Sequence, residues 1–421
     1  MSSTSEELVA KALREGSAGA AAIPGPSAAT LEALAAAMQP QPVSLQMLSS
    51  TAQDRSLQIR LQQANFIRRE LIARRVRILA LLHTMPESLA RREAVSQLAG
   101  VYWERLKSVM ERPDATSEED ERGFLARQMK HNESIKTIGD AEEEQMCIRA
   151  LDEMQLERGS DWWATHPEER VAVDRHLDAI FLARISLRFL LKHYIASETS
   201  RPGFVGIIER ACSPVALCRA LSASIRTKLQ DQYGQVPSVE IVGDERHTFT
   251  YVPSHIEYVV GTLLKNSLVA TLRRQHGEPQ GIANIPPLVR HLQPPLPPVR
   301  VIVSAGEDVV QIKLADEAGG ISRSSLINVW SYRSLQSRWW KPADGLSLPL
   351  ARLYCKYFNG SMAMVPMEGY GTDCYVTFNR LAHANSEQIV AVPTKPMDEN
   401  APRAQGFFDA QSRRVVVPSG K

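Results

Sequence analysis

Hydrophobic residues in the first half of the chain recur every three or four positions, over long stretches joined by short links. This spacing places apolar side chains on one face of a helix, and it predicts helices over residues 58–82, 89–110, 119–146 and 167–191. Long helices with short connections are typical of bundles. The sequence therefore predicts a helical bundle of about four helices.

The first of these helices carries a dense group of basic residues: Arg68, Arg69, Arg74, Arg75 and Arg77. Charged side chains on a helix normally keep their heads in water. We therefore expect a solvated basic face, with a partner-binding site as the alternative interpretation.

The pattern changes after Pro202-Gly203, where shorter segments replace the long helices. Alternating residues predict strands over 239–242, 248–252, 299–304, 309–314, 362–365 and 374–378, the third and fourth of these forming a hairpin. Helical spacing predicts helices over 215–230, 254–274 and 346–358. Helices on one face of a mixed sheet give an α+β domain.

A proline-rich stretch, residues 286–298, separates the helix and the hairpin of this second half. Proline cannot continue a helix or a central strand, so the stretch predicts an extended surface loop. The alternative is a ligand for a partner that recognises proline motifs.

Composition and charge exclude several classes of function. A length of 421 residues predicts two domains with tails, and a net charge of +2 argues against nucleic-acid or membrane-surface binding. No apolar run approaches the roughly 20 residues of a membrane helix.

The five scattered cysteines favour a reducing compartment over a disulfide framework or zinc site. Residues 1–40, rich in Ala, Ser and Pro, predict disorder more than a targeting presequence.

Four short motifs, each with a polar side chain or a glycine suited to ligand binding, follow one another in the second half. Asn266 lies on a predicted helix, Asp316 ends a strand before Gly320, Gly345 precedes a helix, and Thr372 precedes the last strand. Alone, each is a helix cap, a turn or a strand start. Their order is what makes the set informative.

In this order the motifs resemble the ATP-binding pattern shared by type II topoisomerases, one class of heat-shock chaperones, bacterial histidine kinases and mitochondrial dehydrogenase kinases. The resemblance to the last group is specific. It rests on runs similar to landmarks of the kinases of pyruvate and branched-chain 2-oxo acid dehydrogenases, at 41–45, 66–71, 127–132, 177–188, 251–255, 262–271, 345–354 and 367–373.

The resemblance implies an α+β protein with an N-terminal four-helix-type bundle and a C-terminal histidine-kinase-like ATPase sandwich built on a mixed sheet. It spans residues 41–381. The implied division is a disordered or targeting segment at 1–40, the bundle at 41–200, the ATP-binding domain at 201–381 and a tail at 382–421.

The resemblance also implies roles for single residues. Asn266 would offer its side-chain oxygen to a Mg²⁺ that bridges the phosphates of ATP, and Asp316 would accept a hydrogen bond from the adenine amino group. Gly320 and Gly345, with the neighbouring Leu346, would let the backbone approach the nucleotide. Thr372 would join the hydrogen bonds around the base.

Two positions depart from the family where catalysis takes place. Thr262 stands where the family has the Glu proposed as base or orienter for the serine hydroxyl, one helical turn before Asn266. A threonine hydroxyl cannot accept a proton near neutral pH. Tyr258 stands at the position of the family's histidine.

The glycine motifs depart as well. Ala318 replaces the first glycine of the Asp-x-Gly-x-Gly motif, and Ala343 and Ser347 replace two glycines of the loop around Gly345. Side chains at Ala343 and Ser347 would disfavour the left-handed or close-packed backbone that such a phosphate loop uses. Asp344 adds negative charge where a triphosphate would lie.

Two hypotheses follow. The first is a kinase of the mitochondrial matrix that uses ATP and Mg²⁺ to phosphorylate and inactivate a 2-oxo acid dehydrogenase component. Such a kinase is expected to form a homodimer, to bind no nucleic acid and to have no membrane span. The second is a pseudokinase or regulatory scaffold of the same fold with weak or lost phosphoryl transfer. Whether the partner is the pyruvate or the branched-chain complex stays open.

Overall fold

The computed structural model describes residues 3–16, 23–51, 56–159, 162–276, 295–326, 328–332, 347–381 and 385–389. Within these ranges the helices of the first half are α1 (Ser3–Gly16), α2 (Ala28–Ala37), α3 (Leu45–Thr51), α4 (Leu57–His83), α5 (Glu87–Ala90), α6 (Glu93–Met110), α7 (Glu118–Arg158), α8 (Trp162–Thr165) and α9 (Pro167–Ser197).

Four long helices, α4, α6, α7 and α9, form the predicted bundle. Helix α4 lies at its centre and packs against the other three. Most of α4 is buried, including Leu71, Val76 and Leu79, because neighbouring helices surround it. Helix α7 begins with a capping box in which Ser117 and Asp120 each satisfy a backbone N–H of the other.

The disorder expected for residues 1–40 is wrong for the parts that the structure describes. Helices α1 and α2 pack on each other, and Leu31 and Leu34 of α2 are fully buried. The carboxylate of Glu15 joins the two helices, because it accepts hydrogen bonds from the backbone and side chain of Ser27 and from Thr30. Alanine has the highest helix propensity, so an Ala-rich segment forms a helix when it can pack its apolar side chains against another helix.

The solvated basic face expected on α4 is also wrong. Only Arg69 of the five arginines is exposed; Arg68, Arg74, Arg75 and Arg77 are buried. A helix at the centre of a bundle has little free surface, so most of its arginines must find buried partners. The guanidinium of Arg75, for example, donates to the carbonyl oxygen of Arg105 at 2.9 Å.

Arg74 finds its partners in two distant parts of the chain. Its Nη2 lies 3.0 Å from Oε2 of Glu70 and 2.5 Å from Oε1 of Glu387. Glu387 belongs to the segment 385–389, which follows the last strand, and it also accepts hydrogen bonds from Tyr357 and from the backbone N–H of Val43. This buried cluster fastens the C-terminal segment to the bundle.

The strands of the second half are β1 (Phe204–Val205), β2 (Ile208–Cys212), β3 (Val239–Val242), β4 (Phe249–Tyr251), β5 (Val299–Ala305), β6 (Val309–Asp316), β7 (Ser361–Met367) and β8 (Gly371–Asn379). Its helices are α10 (Pro214–Tyr233), α11 (Pro253–His276), α12 (Arg323–Leu326) and α13 (Ser347–Tyr357).

The strands form two sheets, one of order β1-β2-β4 and one of order β3-β5-β6-β8-β7. In the larger sheet β3 runs parallel to β5 while every other pair is antiparallel, so the sheet is mixed. Helices α10 and α11 pack on β5, and α11 and α13 pack against each other. The predicted α+β class, helical first and mixed-sheet second, is confirmed.

The proline-rich stretch lies mainly outside the described residues. Residues 295–298, its described end, have no regular secondary structure and lead directly into β5. The prediction of an extended loop for the rest stays a prediction. Among the described residues, no helix is long and apolar enough to cross a membrane.

Candidate functional site

Asp316 is the last residue of β6 and the most constrained polar group of the predicted site. Its Oδ1 accepts hydrogen bonds from the backbone N–H groups of Ala318 at 3.1 Å and Thr372 at 3.2 Å. Its Oδ2 accepts one from the hydroxyl of Ser267 at 2.8 Å. Burial raises the pKa of the carboxyl above its usual value, and the three hydrogen bonds oppose that rise.

Thr372 on the neighbouring strand β8 pairs with Asp316 in the register of the sheet, and both residues are buried. The sequence placed these two residues in separate motifs, and the sheet brings them together. The backbone of Gly371 passes so close that a Cβ there would lie 1.8 Å from the carbonyl oxygen of Asp316. Only glycine fits at that position.

Gly320 is required by both backbone conformation and space. Its φ of +72° lies in the left-handed region, and a Cβ would lie 2.2 Å from the carbonyl oxygen of Met367. The close neighbour of Gly320 in the structure is the end of β7 and the start of the turn that follows it, and its predicted role beside a nucleotide stays a prediction.

Ala318 causes no backbone strain. Among the described residues, Asn359 is the one non-glycine residue with positive φ, so Ala318 and Ser347 both have ordinary backbone conformations. The backbone N–H of Ala318 still binds Asp316. In this structure the loop does not use a left-handed residue at position 318, and the effect of the missing glycine on nucleotide binding stays a prediction.

Asn266 lies on α11, next to Ser267 in sequence. Its side chain is half-buried, whereas the flanking Leu264 and Leu268 are fully buried in the core. Asn266 therefore lies at the border of the core, next in sequence to the residue whose hydroxyl binds Asp316.

The two remaining predicted ATP-binding residues, Gly345 and Leu346, lie outside the described residues, as do Ala343 and Asp344. Helix α13 begins directly after them at Ser347. Their assignment stays a prediction.

Arg274, on the last turn of α11, joins two loops that sequence reasoning left separate. Its guanidinium donates to the carbonyl oxygens of Glu317 at 2.6 Å, Tyr370 at 2.5 Å and Gly369 at 2.9 Å. These carbonyls belong to the loop after β6 and to the turn between β7 and β8. No local pattern reveals such a contact, because arginine at a helix end is common and its acceptors are backbone atoms far along the chain.

The residues just before the undescribed segment 333–346 are bound to the bundle. Asp174 of α9 accepts hydrogen bonds from the hydroxyl of Ser331 at 3.0 Å and the backbone N–H of Tyr332 at 3.2 Å. Burial raises the pKa of Asp174 to about 6. One turn further along α9, Asp178 accepts a hydrogen bond from the hydroxyl of Tyr332 at 2.7 Å.

The helix that follows the same segment is bound to the same carboxylate. Arg352 of α13 donates to Oδ2 of Asp178 at 2.8 Å, and both side chains are buried. The bundle therefore holds the chain on both sides of residues 333–346. Sequence reasoning missed this connection, although Asp178 was part of a run that resembled the family.

Tyr258 and Thr262 lie on α11 as the sequence predicted, each half-buried. The ring of Tyr258 packs against that of Tyr354 on α13, with centroids 4.7 Å apart. Thr262 lies one helical turn before Asn266 and carries no carboxylate. The position of the family's Glu is thus filled by a residue without acid–base chemistry near neutral pH.

The fold is a helical bundle followed by a mixed sheet. A buried aspartate and glycine turns lie at the ends of central strands, and the neighbouring helix carries an asparagine. These features define the histidine-kinase-like class of α+β proteins. Residues 42–209 match the family model described as mitochondrial branched-chain alpha-ketoacid dehydrogenase kinase.

Curated relatives extend the match beyond the bundle. The chain is 30% identical over 337 residues to a mitochondrial pyruvate dehydrogenase (acetyl-transferring) kinase of Arabidopsis thaliana, covering 76% of this chain and 84% of the relative. It is 34% identical over 228 residues to that of Schizosaccharomyces pombe, covering 49% and 50%. With human isozyme 4 it shares 24% over 343 residues, covering 77% and 78%.

The chain belongs to the family of mitochondrial pyruvate dehydrogenase kinases and branched-chain 2-oxo acid dehydrogenase kinases. The sequence prediction of this family is confirmed. The mitochondrial localisation is supported as well, since these relatives are mitochondrial proteins.

Proposed function

We propose that the chain is an ATP-dependent protein serine/threonine kinase of the mitochondrial matrix that phosphorylates and inactivates a component of a 2-oxo acid dehydrogenase complex. The observation that carries the proposal is Asp316. It is a buried carboxylate at a strand end, held by three hydrogen bonds, in a chain whose relatives are named as kinases of pyruvate dehydrogenase.

The donor set suits adenine and magnesium. A carboxylate whose Oδ2 has one protein partner keeps a lone pair for the exocyclic amino group of adenine, and the Thr372 hydroxyl lies on the neighbouring strand. Asn266 offers a hard oxygen, the kind of ligand that Mg²⁺ prefers. Asn266 would hold the ion there, and the chemistry that Mg²⁺ would supply is neutralisation of phosphate charge.

Replacing Asp316 with alanine is expected to weaken ATP binding by roughly 10- to 150-fold, corresponding to the ~1.5–3 kcal/mol of a charge-assisted hydrogen bond. Isothermal titration with ATP and Mg²⁺ measures the change. Asp373→Ala is the matched control, because this neighbouring carboxylate pairs with Lys313 at 2.7 Å and is half-exposed. Equal ATP affinity in the Asp316 variant and the wild type would rule out the assignment of Asp316.

The substrate is tested by transfer of labelled phosphate. Purified protein, ATP and Mg²⁺ are incubated separately with the thiamine-dependent component of the pyruvate complex and with that of the branched-chain complex. We expect labelled serine in one of them together with loss of its dehydrogenase activity. Nucleotide binding without label in either component supports the second candidate, a pseudokinase, which the threonine at position 262 favours.

We also propose that the protein is a homodimer joined through the outer face of the larger sheet. One row of paired residues crosses all five strands on that face: Val242, Ile302, Lys313, Tyr375 and Ala363. Val242, Ile302 and Tyr375 are exposed hydrophobic residues. The described helices that pack on this sheet lie against its other face, where the buried valines and leucines are. Exposed hydrophobic residues grouped among polar ones on an open sheet face are typical of an interaction site.

Changing Ile302 to glutamate is expected to convert the dimer to a monomer, because the substitution places a charge in the centre of the row. Sedimentation equilibrium of the full chain measures the mass. Leu156→Glu is the control, since Leu156 is the most exposed hydrophobic residue described but lies on α7, away from the sheet. A monomeric wild type, or a dimer unaffected by Ile302→Glu, contradicts the proposal.

A further inference from the structure

Ser267 is the residue after Asn266 on α11, and it points at the carboxylate of Asp316. The two side chains are 49 positions apart in sequence, both buried, with the serine Oγ 2.8 Å from Oδ2. Among the described residues it is the side-chain hydroxyl that donates to this carboxylate, since the other two donors to Asp316 are backbone N–H groups.

The orientation of the carboxylate is fixed by the sum of its contacts. Two backbone N–H groups, of Ala318 and Thr372, hold Oδ1, and the Ser267 hydroxyl holds Oδ2. A carboxylate bound at both oxygens cannot turn, and all three donors favour its ionised form. An ionised carboxylate accepts hydrogen bonds and donates none.

This has a direct consequence for the base that the site selects. A 6-aminopurine presents an N–H donor to Asp316, whereas a 6-oxopurine presents an oxygen that an ionised carboxylate repels. A protonated carboxyl would instead donate a hydrogen bond to that oxygen. The ratio of the two affinities thus depends on what keeps Asp316 ionised.

We infer that Ser267 is a specificity-determining positioning residue, whose hydrogen bond holds Asp316 as an oriented acceptor for 6-aminopurine nucleotides and against 6-oxopurine nucleotides. The inference rests on the proposed ATP binding. It adds that the discrimination between bases is shared between Asp316 and a residue on α11.

The charged surroundings of Asp316 do not replace the hydroxyl. Asp373 on β8 is a negative neighbour that raises the pKa of Asp316, as burial does more strongly. Arg274 directs its guanidinium at the carbonyl oxygens of Glu317, Gly369 and Tyr370. Loss of the Ser267 hydroxyl therefore raises the pKa of Asp316 further, because the hydrogen bond from Ser267 lowers that pKa more than the bonds from the backbone of Ala318 and Thr372 do.

The test compares ATP with inosine triphosphate, which carries a 6-oxo group, on the wild-type full chain and on Ser267→Ala. We expect the alanine variant to bind ATP about fivefold more weakly, because the carboxylate that accepts from adenine loses one of the three hydrogen bonds that orient it, and inosine triphosphate no more weakly. The preference for ATP then falls by about the same factor. The acidic limb of ATP binding against pH moves to higher pH in the variant, since Asp316 becomes easier to protonate.

Thr271→Val is the matched control. Its hydroxyl, also buried on α11, donates to the carbonyl oxygen of Ser267 at 2.8 Å and not to Asp316. This variant loses a buried hydroxyl one turn away, so it reports any general effect on the helix. We expect its preference for ATP and its pH profile to match those of the wild type, and thermal melting checks that both variants fold.

Two results overturn the inference and are distinguishable. If Ser267→Ala retains the wild-type preference and pH profile while Asp316→Ala loses ATP, the proposed function stands and the role of Ser267 is wrong. If the wild type binds neither nucleotide, the proposed function fails and the inference fails with it.

Discussion

Replacing Arg74 with methionine is expected to lower the free energy of unfolding by about 3–5 kcal/mol, because it leaves two buried carboxylates without their cation. Glu70 and Glu387 both pair with this guanidinium, and all three side chains are buried. Burial raises the pKa of Glu70 above its usual value, which shows how unfavourable the site is to a charged carboxylate. Without Arg74 that cost has no compensation.

Urea unfolding, followed by circular dichroism, measures the effect. Arg91→Ala is the control: this arginine pairs with Glu87 at the surface of α5, where an ion pair contributes at most ~1 kcal/mol. Adding Glu387→Gln to Arg74→Met should recover part of the loss, since it removes one of the two unpaired charges. An Arg74→Met protein as stable as Arg91→Ala would show that the cluster does not stabilise the fold.

The arginines of α4 show where local patterns stop being informative. The periodicity of the apolar residues predicted a helix over 58–82, and α4 spans Leu57–His83. Whether the intervening arginines face water depends on how many helices surround α4, which is a property of the whole bundle. The partner of Arg74 lies 313 positions away. No window of sequence contains both residues.

Strand prediction succeeded where alternation and turns agree, as in β5 and β6 with their short connection. It failed for β1 and β2, the pair Phe204–Val205 and Ile208–Cys212, because two residues are too few for a period and Ile208–Cys212 carries Glu209 and Arg210 in its middle. Tertiary pairing with β4 decides that segment.

The candidate site was predicted residue by residue only where a motif was local. Asp316, Gly320 and Thr372 were found from the order of short motifs, and the sheet places Asp316 beside Thr372. Ser267 and Arg274 were missed because their contacts cross between α11 and the sheet edge. Both add hydrogen bonds to the positions that a motif identifies, and such support is visible only in three dimensions.

Departures from a family pattern also require the structure for their interpretation. Ala318 counted against the glycine motif, yet its backbone has an ordinary conformation and its N–H binds Asp316. The alanine therefore causes no backbone strain in the loop after β6. Thr262 is different, because what is missing there is a functional group and not a conformation.

Wild-type protein is expected to transfer phosphate slowly if the proposed kinase function is right, and not at all if the chain is a pseudokinase, because Thr262 and Tyr258 stand where the family has Glu and His on α11. Thr262→Glu restores a carboxylate one turn from Asn266, where it can orient a substrate hydroxyl. Because Thr262 is half-buried, the new side chain has access to solvent and does not force a charge into the core.

We expect Thr262→Glu to raise the rate of labelled phosphate incorporation into a dehydrogenase component by about tenfold to a hundredfold, at the lower end of general-base effects. The gain is limited because Ala343 and Ser347 still replace glycines of the phosphate loop. Thr262→Gln, of the same size but without the charge, is the matched control and should give no gain. Rapid transfer by the wild type, undiminished in Thr262→Ala, would show that another residue serves as the base and that the loss of one carboxylate on α11 does not make this chain a pseudokinase.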